Sequence, residues 1–134
     1  MSSFEEILQK GSLVCPTKGV SMQPLFKEGR DRVVVVKSGT LKKNDVALFR
    51  RGEECVLHRV VKVKKDCYDF LGDNSLNKDF SIPKENVLGK VIGYFKGEKY
   101  KKSLKNSFYL AFIKTRYLAR KFLRKLKRLF RKNK

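Results

Sequence analysis

The sequence predicts a mainly β domain, a small coiled antiparallel sheet or partial barrel, with a short helix before it and a long basic amphipathic helix after it. Three observations carry that expectation. Apolar and β-branched segments of strand length recur between residues 12 and 95. Turn-forming residues punctuate them at short intervals, the pattern of a small antiparallel sheet. Beyond Gly97 the apolar period changes to steps of three and four, with Lys and Arg between. A chain of 134 residues has room for one compact core and an appendage, so the expected division is a β domain over 1–98 and a helical tail over 99–134.

At the N-terminus, Ser3-Phe4-Glu5-Glu6 has capping-box spacing, Phe4, Ile7 and Leu8 share one face, and Gly11 stops the helix. The strand segments follow. Val33-Val34-Val35-Val36 is a β-branched run, and Asp45-Val46-Ala47-Leu48-Phe49 is a second apolar segment. Val56 to Val63 mixes β-branched residues with His58, Arg59 and Lys62, and Val87 to Phe95 closes the series. Between them stand Lys27-Glu28-Gly29, Lys37-Ser38-Gly39, Arg51-Gly52, Gly72-Asp73-Asn74 and Pro83, all turn signals. In the tail, Phe108, Phe112, Ala119, Phe122, Leu126 and Leu129 recur at helical spacing. As one helix, Leu104 to Arg131 would span about 42 Å, longer than a small β domain is wide.

Net charge is +20, and residues 103–134 hold twelve Lys or Arg with no Asp or Glu. Cations four apart, such as Arg116–Arg120 and Arg120–Arg124, repel unless something anionic sits opposite. The tail therefore points to an anionic surface as partner. A membrane surface, engaged through residues 104–131, suits the interleaved Phe/Leu and Lys/Arg pattern, with each basic residue contributing about 1 kcal/mol near an anionic leaflet. Nucleic acid would satisfy the same charges but has no use for Phe108, Phe112, Phe122 and Phe130 on a helix face, so it ranks below. Packing of the apolar stripe on the β domain or on a partner protein lies between the two.

Cys15, Cys55 and Cys67 are odd in number and widely spaced, which argues against a disulfide framework and for a reducing compartment. Residues 2–10 lack the apolar run of a signal peptide. The best uncharged run in the tail, Asn106 to Ile113, is far short of the roughly 20 residues a bilayer needs. The expected location is cytoplasmic, peripheral on a membrane.

Three segments bear chemistry together: Gly19-Val20-Ser21-Met22-Gln23-Pro24, Leu57-His58-Arg59-Val60, and Gly72-Asp73-Asn74-Ser75 followed by Asp79. Serine hydrolysis needs a hydroxyl, a base to take its proton, and a group that orients the base. The single histidine of the chain lies in an expected strand between the serine motif and the acidic loop. Gly19 would let backbone approach a substrate, and the Ser21 amide could donate to a developing oxyanion. Singly, each signal has a plainer reading. A Ser near Gly and Pro is usually a turn residue, a strand His is usually structural, and Gly-Asp-Asn is a common hairpin turn.

As an ordered set, these motifs resemble the signal peptidase I and LexA-type clan of serine peptidases. There a Gly-x-Ser-Met-x-Pro motif carries the nucleophile, followed by a Gly-Asp-x-Val-like strand, a base segment and a Gly-Asp-Asn box. The parallels here are Gly19 to Pro24, Asp31-Arg32-Val33, Asn44-Asp45-Val46, His58-Arg59-Val60 and Gly72 to Asp79, with Val87-Leu88-Gly89-Lys90-Val91 similar to the closing strand. The resemblance covers about residues 12–95. Many members use a Ser-Lys dyad, whereas His58-Arg59-Val60 resembles the histidine subtype of archaea and the endoplasmic reticulum.

The resemblance implies a coiled β domain of the signal peptidase/LexA catalytic type, with Ser21 as nucleophile and His58 as general base. Asp73 and Asp79 both match positions where that subtype carries its Asp. Asp79 is favoured as the partner of His58 and Asp73 as support for the loop and site. Gly19, Met22 and Pro24 are the expected substrate-binding positions, and the substrate would be a peptide or protein precursor lying extended along a strand edge. Signal peptidases usually carry a membrane anchor before the serine motif. Here only the short expected helix precedes it, and the basic tail could serve as a surface anchor instead.

Two rivals stand beside this reading. Cys55, His58 and Cys67 raise a metal site, but zinc sites favour tight Cys-x-x-Cys pairs and four ligands, and a fourth is missing. No metal or other cofactor is implied. A non-catalytic peptide-binding or membrane-surface module built on a degenerate peptidase domain is the second, and the presence of both Ser21 and His58 argues against it.

Overall fold

The structure, a computed structural model, describes residues 11–37, 39–102 and 104–132. Its framework is one antiparallel sheet of eight strands: β1 (Ser12–Pro16), β2 (Asp31–Val36), β3 (Val46–Arg51), β4 (Glu54–Val63), β5 (Cys67–Leu71), β6 (Asp79–Pro83), β7 (Val87–Lys96) and β8 (Lys99–Lys101). They lie in the order β1-β2-β7-β3-β4-β5-β6, and β8 pairs with β7 beyond the end of β3. Register slips at Val34/Val35, Leu48/Phe49, Val60/Lys62 and Tyr68/Phe70 bend the strands, and the sheet curls into a half-barrel. The expected mainly β, coiled antiparallel architecture is what the chain adopts. The short helix expected over residues 3–10 lies outside the described residues.

The β-branched and apolar segments become β2, β3, β4 and β7. Four further strands carry weaker sequence signals, each for a visible reason. Strand β1 is five residues long and ends in Pro16, and β8 has no apolar run. Strand β5 has an acid at its centre. The Asp69 carboxylate accepts from the Ser81 amide at 2.8 Å and pairs with Lys64 at 2.9 Å, which makes a buried carboxylate tolerable in a strand. Strand β6 contains Ser81 at φ 54° and ends in Pro83.

Two apolar clusters fill the curl. One gathers Met22, Phe26, Val33, Val35, Val46, Leu48, Val91, Tyr94 and Leu104. The other gathers Leu41, Ala47, Phe49, Val60, Tyr68 and Phe70, with the Phe49 and Phe70 rings stacked at 4.1 Å. Alternation along β2 puts Val33 and Val35 in the core and leaves Val34 and Val36 half-buried.

The C-terminal helix α1 runs from Ser107 to Lys132. It begins later than Leu104, because Leu104 is drawn into the core and Lys105 pairs with the buried Asp45. Asn106 then caps the helix, its Oδ1 accepting from the amides of Phe108 at 2.9 Å and Tyr109 at 3.3 Å. Among the described residues no helix is long and apolar enough to cross a membrane.

Candidate active site

Ser21 lies on the turn that links β1 to β2. Gly19, at φ 74°, turns the chain into it, and the Gln23 amide closes it on the Val20 carbonyl at 3.1 Å. Met22 is buried beneath this turn and anchors it to the core. Ser21 itself is half-buried and faces a cavity of about 450 Å³ whose wall includes Gly19, Ser21, Met22, Arg51, Cys55, His58 and Ser75. Pro24 is exposed and does not line this cavity.

His58 comes from β4. Side chains alternate along a strand, so His58 faces the cavity while Arg59 faces the opposite side. The His58 side chain is only 7% exposed. Its Nδ1 lies 2.8 Å from Asp79 Oδ2, at the start of β6. A carboxylate only accepts, so Nδ1 carries the proton and Nε2 is left as the basic nitrogen. Burial pulls the His58 pKa below its usual 6.5, against the opposing pull of the Asp79 hydrogen bond and charge. The imidazole is therefore neutral at pH 7, the form a general base requires. Arg51, at the end of β3, donates to the other oxygen of Asp79 at 2.7 Å.

Gly72 brings the two halves together. A Cβ built there would lie 2.6 Å from the Ser21 carbonyl oxygen, 2.7 Å from Ser75 Oγ and 3.0 Å from His58 Cδ2. Only a residue without a side chain lets the serine turn and the histidine ring close on the same point. Asn74 completes the seam: its amide donates to the Ser21 carbonyl at 2.7 Å, and its Nδ2 to the Val20 carbonyl at 2.9 Å.

Asp73 faces away from His58. Its carboxylate accepts from Arg59 Nε at 2.8 Å and Nη2 at 2.9 Å, a buried two-point pair, and from the Tyr109 hydroxyl at 2.7 Å. Burial, then the Asp73 charge, push the Tyr109 pKa far up, so the phenol stays a donor. Arg59 Nη1 also donates to the carbonyls of Asn44 at 2.8 Å and Leu104 at 2.7 Å. Arg59 thus ties the Gly-Asp-Asn loop to the chain entering α1. Of the two candidate acids, Asp79 reaches the histidine and Asp73 holds the loop.

In the sequence Tyr109 carries no site signal, Arg51 reads only as part of a turn, Asn74 only as a member of the Gly-Asp-Asn box, and Arg116 and Arg120 only as repelling cations. Arg51 sits at a turn where a cation is unremarkable, and Tyr109 and the two helix arginines lie far along the chain. The alternation of His58 and Arg59 was the one local signal that a second charged group would face the opposite side of the same strand. Cys15, Cys55 and Cys67 are free thiols, and among the described residues no three His, Cys, Asp or Glu side chains converge as a metal site.

This arrangement joins a serine turn, a neutral histidine oriented by a carboxylate, and an open cavity between them. The family model described as Peptidase S24-like matches residues 5–92 of the chain. No curated protein matches it at a significant level.

Proposed function

The chain belongs to the Peptidase S24-like family, and on that premise we propose that it is a serine endopeptidase acting on a peptide or protein precursor. The observation that carries this reading is the Asp79-held His58, which lines the same cavity as Ser21. In the proposed reaction the Ser21 hydroxyl attacks a peptide carbonyl while His58 Nε2 takes its proton. The carbon–nitrogen bond of the tetrahedral intermediate then breaks, and the proton passes to the leaving amine. Water repeats the sequence on the acyl-enzyme. Asp79 keeps the ring in the right tautomer and stabilises the transient imidazolium, and the Ser21 amide is the proposed backbone donor to the oxyanion. Gly19 and Met22 line the groove a substrate would enter, and Pro24 would act by shaping the turn.

The test is labelling of the purified chain with a fluorophosphonate serine probe, beside Ser21→Ala and His58→Ala. The expected result is labelling that requires both residues. Labelling that persists in Ser21→Ala would place the reactive group elsewhere, and a folded wild type that never labels would favour a peptide-binding role.

A second property is supported by the exposure of α1. Phe108, Phe122 and Phe130 are 88%, 60% and 70% exposed, on the side of the helix away from the sheet. Lys114, Lys121 and Lys125 flank them. We propose that this face lies on an anionic bilayer surface, which would make the protein a peripheral membrane peptidase.

A further inference from the structure

Three cations of α1 end on the loop that holds the serine turn. Arg116 Nη2 donates to Asn74 Oδ1 at 2.7 Å. Arg120 Nη1 donates to the same oxygen at 3.1 Å and to the Asn74 carbonyl at 2.9 Å. Arg124 reaches Asn77 Oδ1 at 3.5 Å. With its carboxamide oxygen taken by two guanidinium groups, Asn74 must turn its amino group the other way, onto the Val20 carbonyl. The Asn74 amide holds the Ser21 carbonyl, and the Asp73 amide donates to Met22 Sδ at 3.4 Å. Residues 20, 21 and 22 are each gripped by the loop, and the loop is gripped from behind by the helix.

Like charges four residues apart disfavour a helix. Here two of them converge on one neutral carboxamide, whose orientation decides where the backbone of the serine turn lies. We infer that Arg116 and Arg120 are positioning residues: acting through Asn74, they fix the Val20–Ser21 backbone and hence where Ser21 stands in the cavity it shares with His58. Neither arginine lines the cavity, so their action is indirect. The catalytic half of this inference rests on the peptidase reading, and the mechanical half does not.

Two readouts on the full-length chain separate the halves. The first is hydrogen–deuterium exchange in the double variant Arg116→Ala/Arg120→Ala. The Gln23 and Phe26 amides, bonded to the Val20 and Met22 carbonyls, and the Asn74 amide, bonded to the Ser21 carbonyl, should exchange at least about tenfold faster, while β2, β3 and β7 keep their wild-type protection. The second is the kinetics of fluorophosphonate labelling. The maximal rate should fall about tenfold or more, with the half-saturating probe concentration and the acid midpoint set by His58 unchanged. Arg116→Lys/Arg120→Lys should recover part of the rate, because an ammonium still donates to a carbonyl oxygen. Asn74→Asp keeps a partner for both arginines but loses the donor to Val20, and should label as slowly as the double alanine variant. Lys99→Ala/Lys101→Ala removes the same charge from exposed positions of β8, away from the loop, and should match wild type in both readouts.

Unchanged exchange at the serine turn overturns the inference, and so does faster exchange spread over the whole sheet. Faster exchange at the turn with an unchanged labelling rate overturns the catalytic role alone. If wild type does not label, the peptidase reading falls, and exchange still decides whether the helix holds the turn.

Discussion

Arg51 and His58 share one carboxylate: Arg51 donates to Asp79 Oδ1 at 2.7 Å while His58 Nδ1 lies 2.8 Å from Oδ2. The two partners pull the histidine in opposite directions. Asp79 favours the charged imidazolium, and the positive charge of Arg51 disfavours it.

The labelling rate should therefore rise with pH through a midpoint below 6.5, as His58 loses its proton. Asp79→Asn removes the stabilising charge, so its midpoint should move down, with the plateau rate falling by roughly a hundredfold or more as the tautomer is lost. Arg51→Ala removes the opposing charge, so its midpoint should move up. A pH series of labelling rates checks both, and shifts of the same sign would contradict this account of the site.

Ser21→Ala and His58→Ala should each lower peptide cleavage by at least about a thousandfold. Combining them should cost little more than either alone, because the two act as one unit. Thermal unfolding of each variant should stay near wild type, which separates loss of chemistry from loss of fold.

Gly72→Ala should destabilise the protein by about 1–3 kcal/mol, since the new methyl group meets the Ser21 carbonyl, a backbone atom with little freedom to move. Labelling should slow in the same variant as the serine turn is pushed from His58. Urea denaturation beside the labelling rate tests this, and a neutral effect on both would mean that the contact relaxes freely.

Arg59→Met should cost about 3–5 kcal/mol, because it strands the buried Asp73 charge and deprives the Asn44 and Leu104 carbonyls of their donor. Urea denaturation measures it, and a loss below about 1 kcal/mol would show that Tyr109 and water suffice to hold Asp73.

Phe108→Ser/Phe122→Ser/Phe130→Ser should release the chain from phosphatidylserine-containing vesicles in a sedimentation assay without altering its unfolding midpoint, because these rings are exposed. Vesicles of phosphatidylcholine alone should retain little of either form. Equal sedimentation of wild type and variant would remove the apolar face from membrane binding.

Local sequence was enough for much of the architecture. The β-branched runs at 33–36 and 56–63 could bury side chains only in a pleated sheet, and the three-and-four spacing beyond 107 could align only on a helix. Leu104, expected to open that helix, is instead buried in the apolar core, with its carbonyl held by Arg59 from 45 residues away. The arginines at 116, 120 and 124 looked in sequence like mutual repulsion that needed an anion opposite. The fold instead sets the neutral oxygens of Asn74 and Asn77 against them.

By itself the sequence determined a coiled β domain with a cationic helix after it, and the segments that supply a serine, one histidine and two candidate acids. These are properties of spacing and side-chain chemistry that hold along any short stretch of chain. Only the tertiary structure decided which acid meets the histidine, because Asp79 reaches His58 through the pairing of β6 with β5 and of β5 with β4. It also turned Asp73 to the opposite side, toward Arg59 and Tyr109, and placed Asn74 between helix and serine. Those relations depend on strand register and on contacts across tens of residues, which no linear spacing encodes.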